Sequence, residues 1–309
     1  MKSGIKVIAP ACISNLACGY DILGMAVDIP CDEIIGTLSD KPGIRITSIT
    51  GHKKNIPIDP SLNIVGITAK ALLKGVGEEK RGFDFRIHKH LPAGSGLGSS
   101  GSSAAATAVL VNELLKNPLE KRALIPYAFE GERASGSTSG DNIIPQTIGG
   151  LILVRDIATF DFHRIYHPRG LFVALLLPDI FIDTKSGREI LNPTVPLDLF
   201  VKQSANLGAF VLAMQNGDLD LIRRSMRDLI IEDQRKQAIP HFDKVKEIAL
   251  SMDALGCSIS GSGPAIFALC QEKLQASDIL KAMQKVYEDH KLPFKSFVAG
   301  ISNEGAQVF

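Results

Sequence analysis

The sequence predicts an α+β protein built as two domains, on three observations. Its 309 residues are more than one hydrophobic core usually organises. Residues 83–90 alternate apolar and polar side chains as a half-buried strand does, and a glycine- and serine-rich loop at 91–103 leads from them into an alanine-rich helical pattern at 104–115. Downstream, the apolar run at 171–177 reads as a buried strand, and a strand, a glycine turn and a second strand follow at 256–269.

The elements between these landmarks follow in order. Residues 5–10 begin as a strand and are expected to end at Pro10, which lacks a donor for the ladder. A loop at 11–27 sets Asn15 and Asp21 among apolar residues; alone, Asn15 reads as a turn former and Asp21 as a helix cap. Strands are predicted at 33–38 and 44–49, then a helix over 63–73 ended by Gly75 and Gly77, with Asn63 placed to cap it. After the 104–115 helix, with Val109, Val111, Leu114 and Leu115 as core candidates, residues 118–132 read as another helix. Strands at 151–154 and 171–178 flank a polar hairpin, so the domains are expected to divide as 1–165 and 166–309. Amphipathic helices at 200–214 and 219–226, a helix at 277–290 and a strand at 296–301 complete the chain.

Composition narrows the function. With 45% hydrophobic and 22% charged residues the chain is ordinary globular protein, and a net charge of +1 gives no reason to expect nucleic acid or an anionic membrane as partner. A small-molecule substrate is expected. The five cysteines are odd in number and form no C-x-x-C pair, which argues for reduced, buried thiols in a cytoplasmic protein. Neither a secretory signal nor an apolar run of membrane-spanning length is read.

The loop carries the chemistry. Gly94, Gly96 and Gly98 permit backbone conformations that a Cβ forbids, and the hydroxyls of Ser99, Ser100, Ser102 and Ser103 are placed to cap the helix that follows. A strand, a glycine loop and a helix N-terminus make a nest for an anion, and phosphate suits that field. Gly96, Gly98 and Gly101 satisfy G-x-G-x-x-G, but the segment after the helix reads as a second helix instead of the strand and acidic residue a dinucleotide unit needs about 20 residues on. No lysine lies between Lys89 and Lys116, so the Walker pattern fails as well.

Pro92, Gly96, Leu97, Gly98, Ser99 and Ser100 resemble the second motif of the GHMP small-molecule kinases. Two further stretches carry the same resemblance. Residues 10–24 are similar to the homoserine kinase pattern P-A-x-x-x-N-L-x-x-G-[FY]-D-x-L-G, and the G-E-H of galactokinases and mevalonate kinases is absent. Residues 257–264 resemble the third motif, whose glycine turn at Gly261 closes over the phosphate loop.

The resemblance implies a first domain with a left-handed crossover, a ferredoxin-like second domain, and ATP-dependent phosphorylation of L-homoserine, with a homodimer as the expected assembly. It places ATP on Asn63, Pro92, Gly94, Gly96, Leu97, Gly98, Ser99 and Ser100, and Mg²⁺ on Ser100 and Glu132, the latter preferred to Glu130. It assigns the amino acid to Asn15, Asp21, Ser139, Asn142, Thr184, Arg188, Arg235 and Gly261, with Asp21 on its ammonium and Arg235 on its carboxylate. Asp141, Asn142 and Arg188 are the catalytic candidates, Arg188 reaching the transferred phosphoryl group. One departure stands out: homoserine kinases usually carry H-x-D-N where this chain has Ser139, and a hydroxyl cannot hold a proton in reserve at neutral pH. A sister kinase acting on another alcohol, or a non-catalytic ATP sensor, are the other readings of the same motifs.

Overall fold

Two sheets share a layer of apolar side chains. The computed structural model describes residues 4–52, 56–182 and 184–309, and for Thr184 and Ser186 the backbone alone. The first sheet contains β1 (Ile5–Ser14), β2 (Leu23–Ser39), β3 (Gly43–Gly51), β4 (Gly82–Lys89), β5 (Leu151–Asp156) and β6 (Asp161–Ile165), and β11 (Gln307–Val308) joins it from the far end of the chain. Its order is β11-β1-β2-β4-β3, with β5 paired to β2 and β6 to β5. β3 and β4 are parallel, so α1 (Ile64–Gly75) is the crossover between them.

The second sheet holds β7 (Phe172–Pro178), β8 (Gly256–Ile259), β9 (Ile266–Cys270) and β10 (Phe294–Gly300) in the order β10-β7-β9-β8, every pair antiparallel. That order, with helices after β7 and β9, is the ferredoxin-like arrangement. β7 explains its own sequence. Val173, Leu175 and Leu177 face the layer shared with Ile13, Leu23 and Met25 of the first sheet, whereas Ala174 and Leu176 pack against α9 (Phe242–Ser251) and α10 (Lys273–Asp289). Both faces are buried, so every position is apolar.

On the other face of the first sheet, α1, α2 (Ser99–Leu114) and α3 (Ile125–Ala134) enclose a second core around Phe83, Phe85 and Leu110. α4 (Ile143–Ile148) packs beside α2. The remaining helices are α5 (Thr184–Glu189), α6 (Leu197–Asn216), α7 (Leu219–Ser225) and α8 (Glu232–Arg235). Among the described residues no helix is long and apolar enough to cross a membrane.

Several expectations change, and β2 begins at Leu23, inside the stretch read as a loop. β1 does not end at Pro10 but continues to Ser14: the pairing shifts register there, and Pro10 sits opposite Pro30, so neither proline has to donate into the ladder. α2 begins at Ser99, five residues before the alanine run, and its N-cap is Gly98 in the left-handed region with no side-chain cap. Ser99, Ser100, Ser102 and Ser103 therefore lie inside the helix and none caps it. Helix α9 and strand β11 were not anticipated.

Candidate active site

The glycine loop bends as its composition requires. Gly94, Gly96 and Gly98 have φ of 70°, 77° and 72°, a region closed to most side chains. A Cβ on Gly96 would lie 2.5 Å from the carbonyl oxygen of Ser260, so the loop also packs too tightly against the β8–β9 turn for anything larger. Its carbonyls are held from behind. Ser260 Oγ donates to Gly96 O at 2.6 Å, Gln146 Nε2 donates to Gly98 O at 2.8 Å and to Pro10 O at 3.0 Å, and the Cys12 amide donates to Leu97 O at 3.1 Å. Ser102 makes the first i→i−4 bond of α2, to Gly98, leaving the amides of the preceding turn aimed at the cavity. Such a terminus favours an anion.

The cavity beside this loop measures about 350 Å³. It gathers Asn15, Asp21, Asn63, Gly94, Gly96, Gly98, Ser99, Ser100, Glu132, Ser139, Asp141, Asn142, Arg188, Arg235 and Gly261. Pro92 and Leu97 are not on its wall, and Leu97 is buried in the layer between the sheets. Thr184 opens α5, and its side chain lies outside the described residues. Asn63 caps α1, its side-chain oxygen accepting from Val65 N at 2.9 Å while Nδ2 donates to Pro57 O at 2.6 Å.

Three buried polar atoms of residues on the cavity wall have no hydrogen-bond partner among the described residues: Ser99 Oγ, Glu132 Oε2 and Asn142 Oδ1. Buried polar groups are normally satisfied, so a cluster of orphans on one wall marks a place built for a ligand. Ser100 Oγ donates to the other Glu132 oxygen at 3.3 Å. Burial pushes the Glu132 carboxyl up to about 7, with the Asp141 charge adding to it.

Asp141 is also pushed up to about 7, first by burial and then by the charge of Asp21. Ser139 spends its hydroxyl on this carboxylate, donating to Oδ1 at 2.5 Å. That bond opposes the rise by favouring the charged form.

The opposite wall carries one carboxylate, Asp21, and two guanidinium groups, Arg188 and Arg235. Asn15, Leu16, Ala17 and Asp21 all have positive φ, and the turn they form presents Asp21 to Arg188 at 2.8 Å. Arg235 is buried; its Nη1 donates to Gly261 O at 2.7 Å and its Nε to Gly187 O at 3.2 Å. Asn15 Nδ2 donates to the same Gly261 carbonyl at 3.1 Å. The rings and cations interleave here, with Tyr20 5.8 Å from Arg188 and 5.2 Å from Arg235.

Sequence reasoning missed Lys89 and Asp32. They form a buried ion pair under the first turn of α2, where Lys89 Nζ also donates to Ser99 O and Ser103 Oγ, each at 3.0 Å. A loop without its own lysine thus has one behind it. Gln146 and Ser260 were missed too. All four lie within or beside recognised stretches, but their partners are remote in sequence.

The first half of the chain matches the model of the GHMP kinases N terminal domain over residues 63–150, and the second half matches GHMP kinases C terminal over residues 210–289. The chain is 38% identical to a homoserine kinase of Chlorobium phaeovibrioides, covering 100% of both, and 37% identical to one of Chlorobium phaeobacteroides, covering 98% of this chain and 99% of that one. The crystal structure of homoserine kinase from Cytophaga hutchinsonii superposes with a TM-score of 0.97 at 42% identity, covering 100% of this chain and 98% of that one. Both family models match in order along the chain, and relatives named homoserine kinase align with it over its full length, so the chain belongs to the ATP-dependent GHMP kinases, in their homoserine kinase branch.

Proposed function

We propose that this protein transfers the γ-phosphoryl group of ATP to the hydroxyl of L-homoserine, giving O-phospho-L-homoserine for threonine biosynthesis. One observation carries the reading: a single cavity joins an amide-lined anion cradle to a wall bearing a carboxylate, Asp21, and a buried guanidinium, Arg235. An α-amino acid presents the complementary pair of charges, which fixes its side-chain hydroxyl relative to the cradle.

Phosphoryl transfer needs alignment and charge neutralisation more than covalent chemistry. Residues 1–165 supply the cradle and Asp21, and residues 166–309 supply Arg188, Arg235 and the Gly261 turn. Arg188 is poised between two anions: it holds Asp21 at 2.8 Å and is free to answer the transferred phosphoryl group once the substrate ammonium takes over that carboxylate. Ser100 and Glu132 fit Mg²⁺, because a hard cation takes oxygen donors and Glu132 keeps one buried oxygen without a partner among the described residues. Bound there, Mg²⁺ would neutralise phosphate charge on the leaving side. Among the described residues no group of three or more His, Cys, Asp or Glu could hold a metal. A homodimer in the cytoplasm is the assembly and place that the family resemblance supports.

A coupled ADP-release assay tests the reading. ADP should appear with L-homoserine in the presence of Mg²⁺ and not with mevalonate or sugars. ATP binding without turnover on any of these alcohols would replace the kinase by a nucleotide sensor.

Asp141 is the candidate base. If proton abstraction limits the rate, Asp141→Asn lowers kcat by orders of magnitude, and the wild-type rate climbs with pH through about 7 as the carboxyl ionises. A loss below about tenfold rejects that role and leaves Asp141 as a positioning group.

A further inference from the structure

We infer that Gln203 is a positioning residue that ties the two ends of the amino-acid clamp together, an inference that rests on the substrate reading above. Gln203 lies half-buried on α6, away from the cavity wall. Its Nε2 donates to Cys18 O at 3.0 Å, and its Oε1 accepts from Leu229 N at 3.0 Å. One side-chain amide therefore bridges two backbone segments that are 211 residues apart in the chain (229 − 18).

Each segment delivers one charge of the clamp. Cys18 belongs to the turn that presents Asp21, in which Asn15, Leu16, Ala17 and Asp21 have φ of 71°, 45°, 61° and 58°. Left-handed conformations at residues other than glycine persist only where the surroundings over-determine them. Inside the turn, Gly19 N donates to Asn15 O at 2.8 Å and Asp21 N donates to Asn15 Oδ1 at 3.1 Å. From outside it, Gln203 holds the Cys18 carbonyl and Gly261 O holds the Asn15 side chain. Leu229 adjoins Asp228, whose carboxylate accepts from Ile230 N, Ile231 N and Glu232 N and so opens α8, the helix that ends in Arg235. Fixing both segments to one side-chain amide sets the Asp21 turn relative to the segment that leads to Arg235.

Only an amide satisfies both bonds. Glutamate at 203 still accepts from Leu229 but faces the Cys18 carbonyl with another acceptor, and methionine, of similar length, serves neither.

The full-length enzyme and its Q203M and Q203E variants test the inference, with L-homoserine and ATP varied in turn and amide hydrogen exchange followed on the same samples. Q203M should raise the KM for homoserine about tenfold, leaving kcat and the KM for ATP within about twofold, as expected when two neutral hydrogen bonds that only position the site are lost. Exchange should quicken together in residues 16–22 and 229–235. Q203E should quicken exchange in 16–22 while Leu229 keeps its protection. A homoserine KM within twofold of wild type, or a parallel change in all three kinetic constants, overturns the inference. If the wild-type enzyme proves inactive on homoserine, the functional reading fails by itself, and exchange still decides the coupling: faster exchange in one segment alone, or throughout the molecule, refutes it.

Discussion

Arg235→Met raises the KM for L-homoserine a hundredfold or more and leaves the KM for ATP within about twofold. Arg235 is held by two carbonyls, those of Gly187 and Gly261, and stacks near Tyr20. It is therefore fixed before substrate arrives. Removing one partner of a buried, hydrogen-bonded charge pair costs about 2–5 kcal/mol, which is roughly 30-fold to several thousandfold in affinity. Lysine does not rescue the loss, because a point charge cannot keep both backbone anchors and still meet a carboxylate with two parallel bonds. Steady-state kinetics decide the matter, and a rise in homoserine KM of less than fivefold would remove Arg235 from the clamp.

Lys89→Met should lower stability by about 3–5 kcal/mol in urea unfolding, because it strands the Asp32 carboxylate in a dry site. Asp32 is fully buried, and its Oδ1 lacks a partner among the described residues. Burial raises its pKa above 3.8, against the pull of Lys89 and Ser103, and removing the lysine raises it further. The sign of the pH dependence follows. Between 3.8 and the raised value the folded variant holds a proton that the unfolded chain has released, so its stability falls as pH rises across that window, and the deficit shrinks on acidification. The double variant Lys89→Met with Asp32→Asn should recover part of the loss, since no charge is then left buried. A deficit under 1 kcal/mol in the single variant would show that water reaches Asp32.

What the sequence disclosed and what it hid divide along a physical line. The bend of the glycine loop was legible because glycine at 94, 96 and 98 is the local cause of the positive φ found there. β7 was legible because a strand buried on both faces must be apolar at every position. α9 left a readable trace as well, with Phe242, Val245 and Ala249 on one buried face, and was overlooked. The Lys89–Asp32 pair and the Gln146 contact with Gly98 join residues 57 and 48 positions apart, and one contact at long range has no period to detect. The serines of α2 misled for a related reason. A hydroxyl before an apolar run usually caps, but here the left-handed Gly98 starts the helix earlier, so Ser100 points toward Glu132. Pro10 misled because a proline can stay in a strand where the register slips against another proline, and only the partner strand reveals that.

The apolar layer between the sheets has a consequence for how the enzyme handles its reactants. Leu16, Leu23 and Met25 from one side and Leu175, Phe210 and Phe267 from the other are sealed from solvent in one continuous cluster. A clamshell would have to tear that seam and wet it at every turnover. Keeping that seam shut leaves the two sheets joined while nucleotide and amino acid enter, so little of their affinity need be consumed in drawing the sheets together.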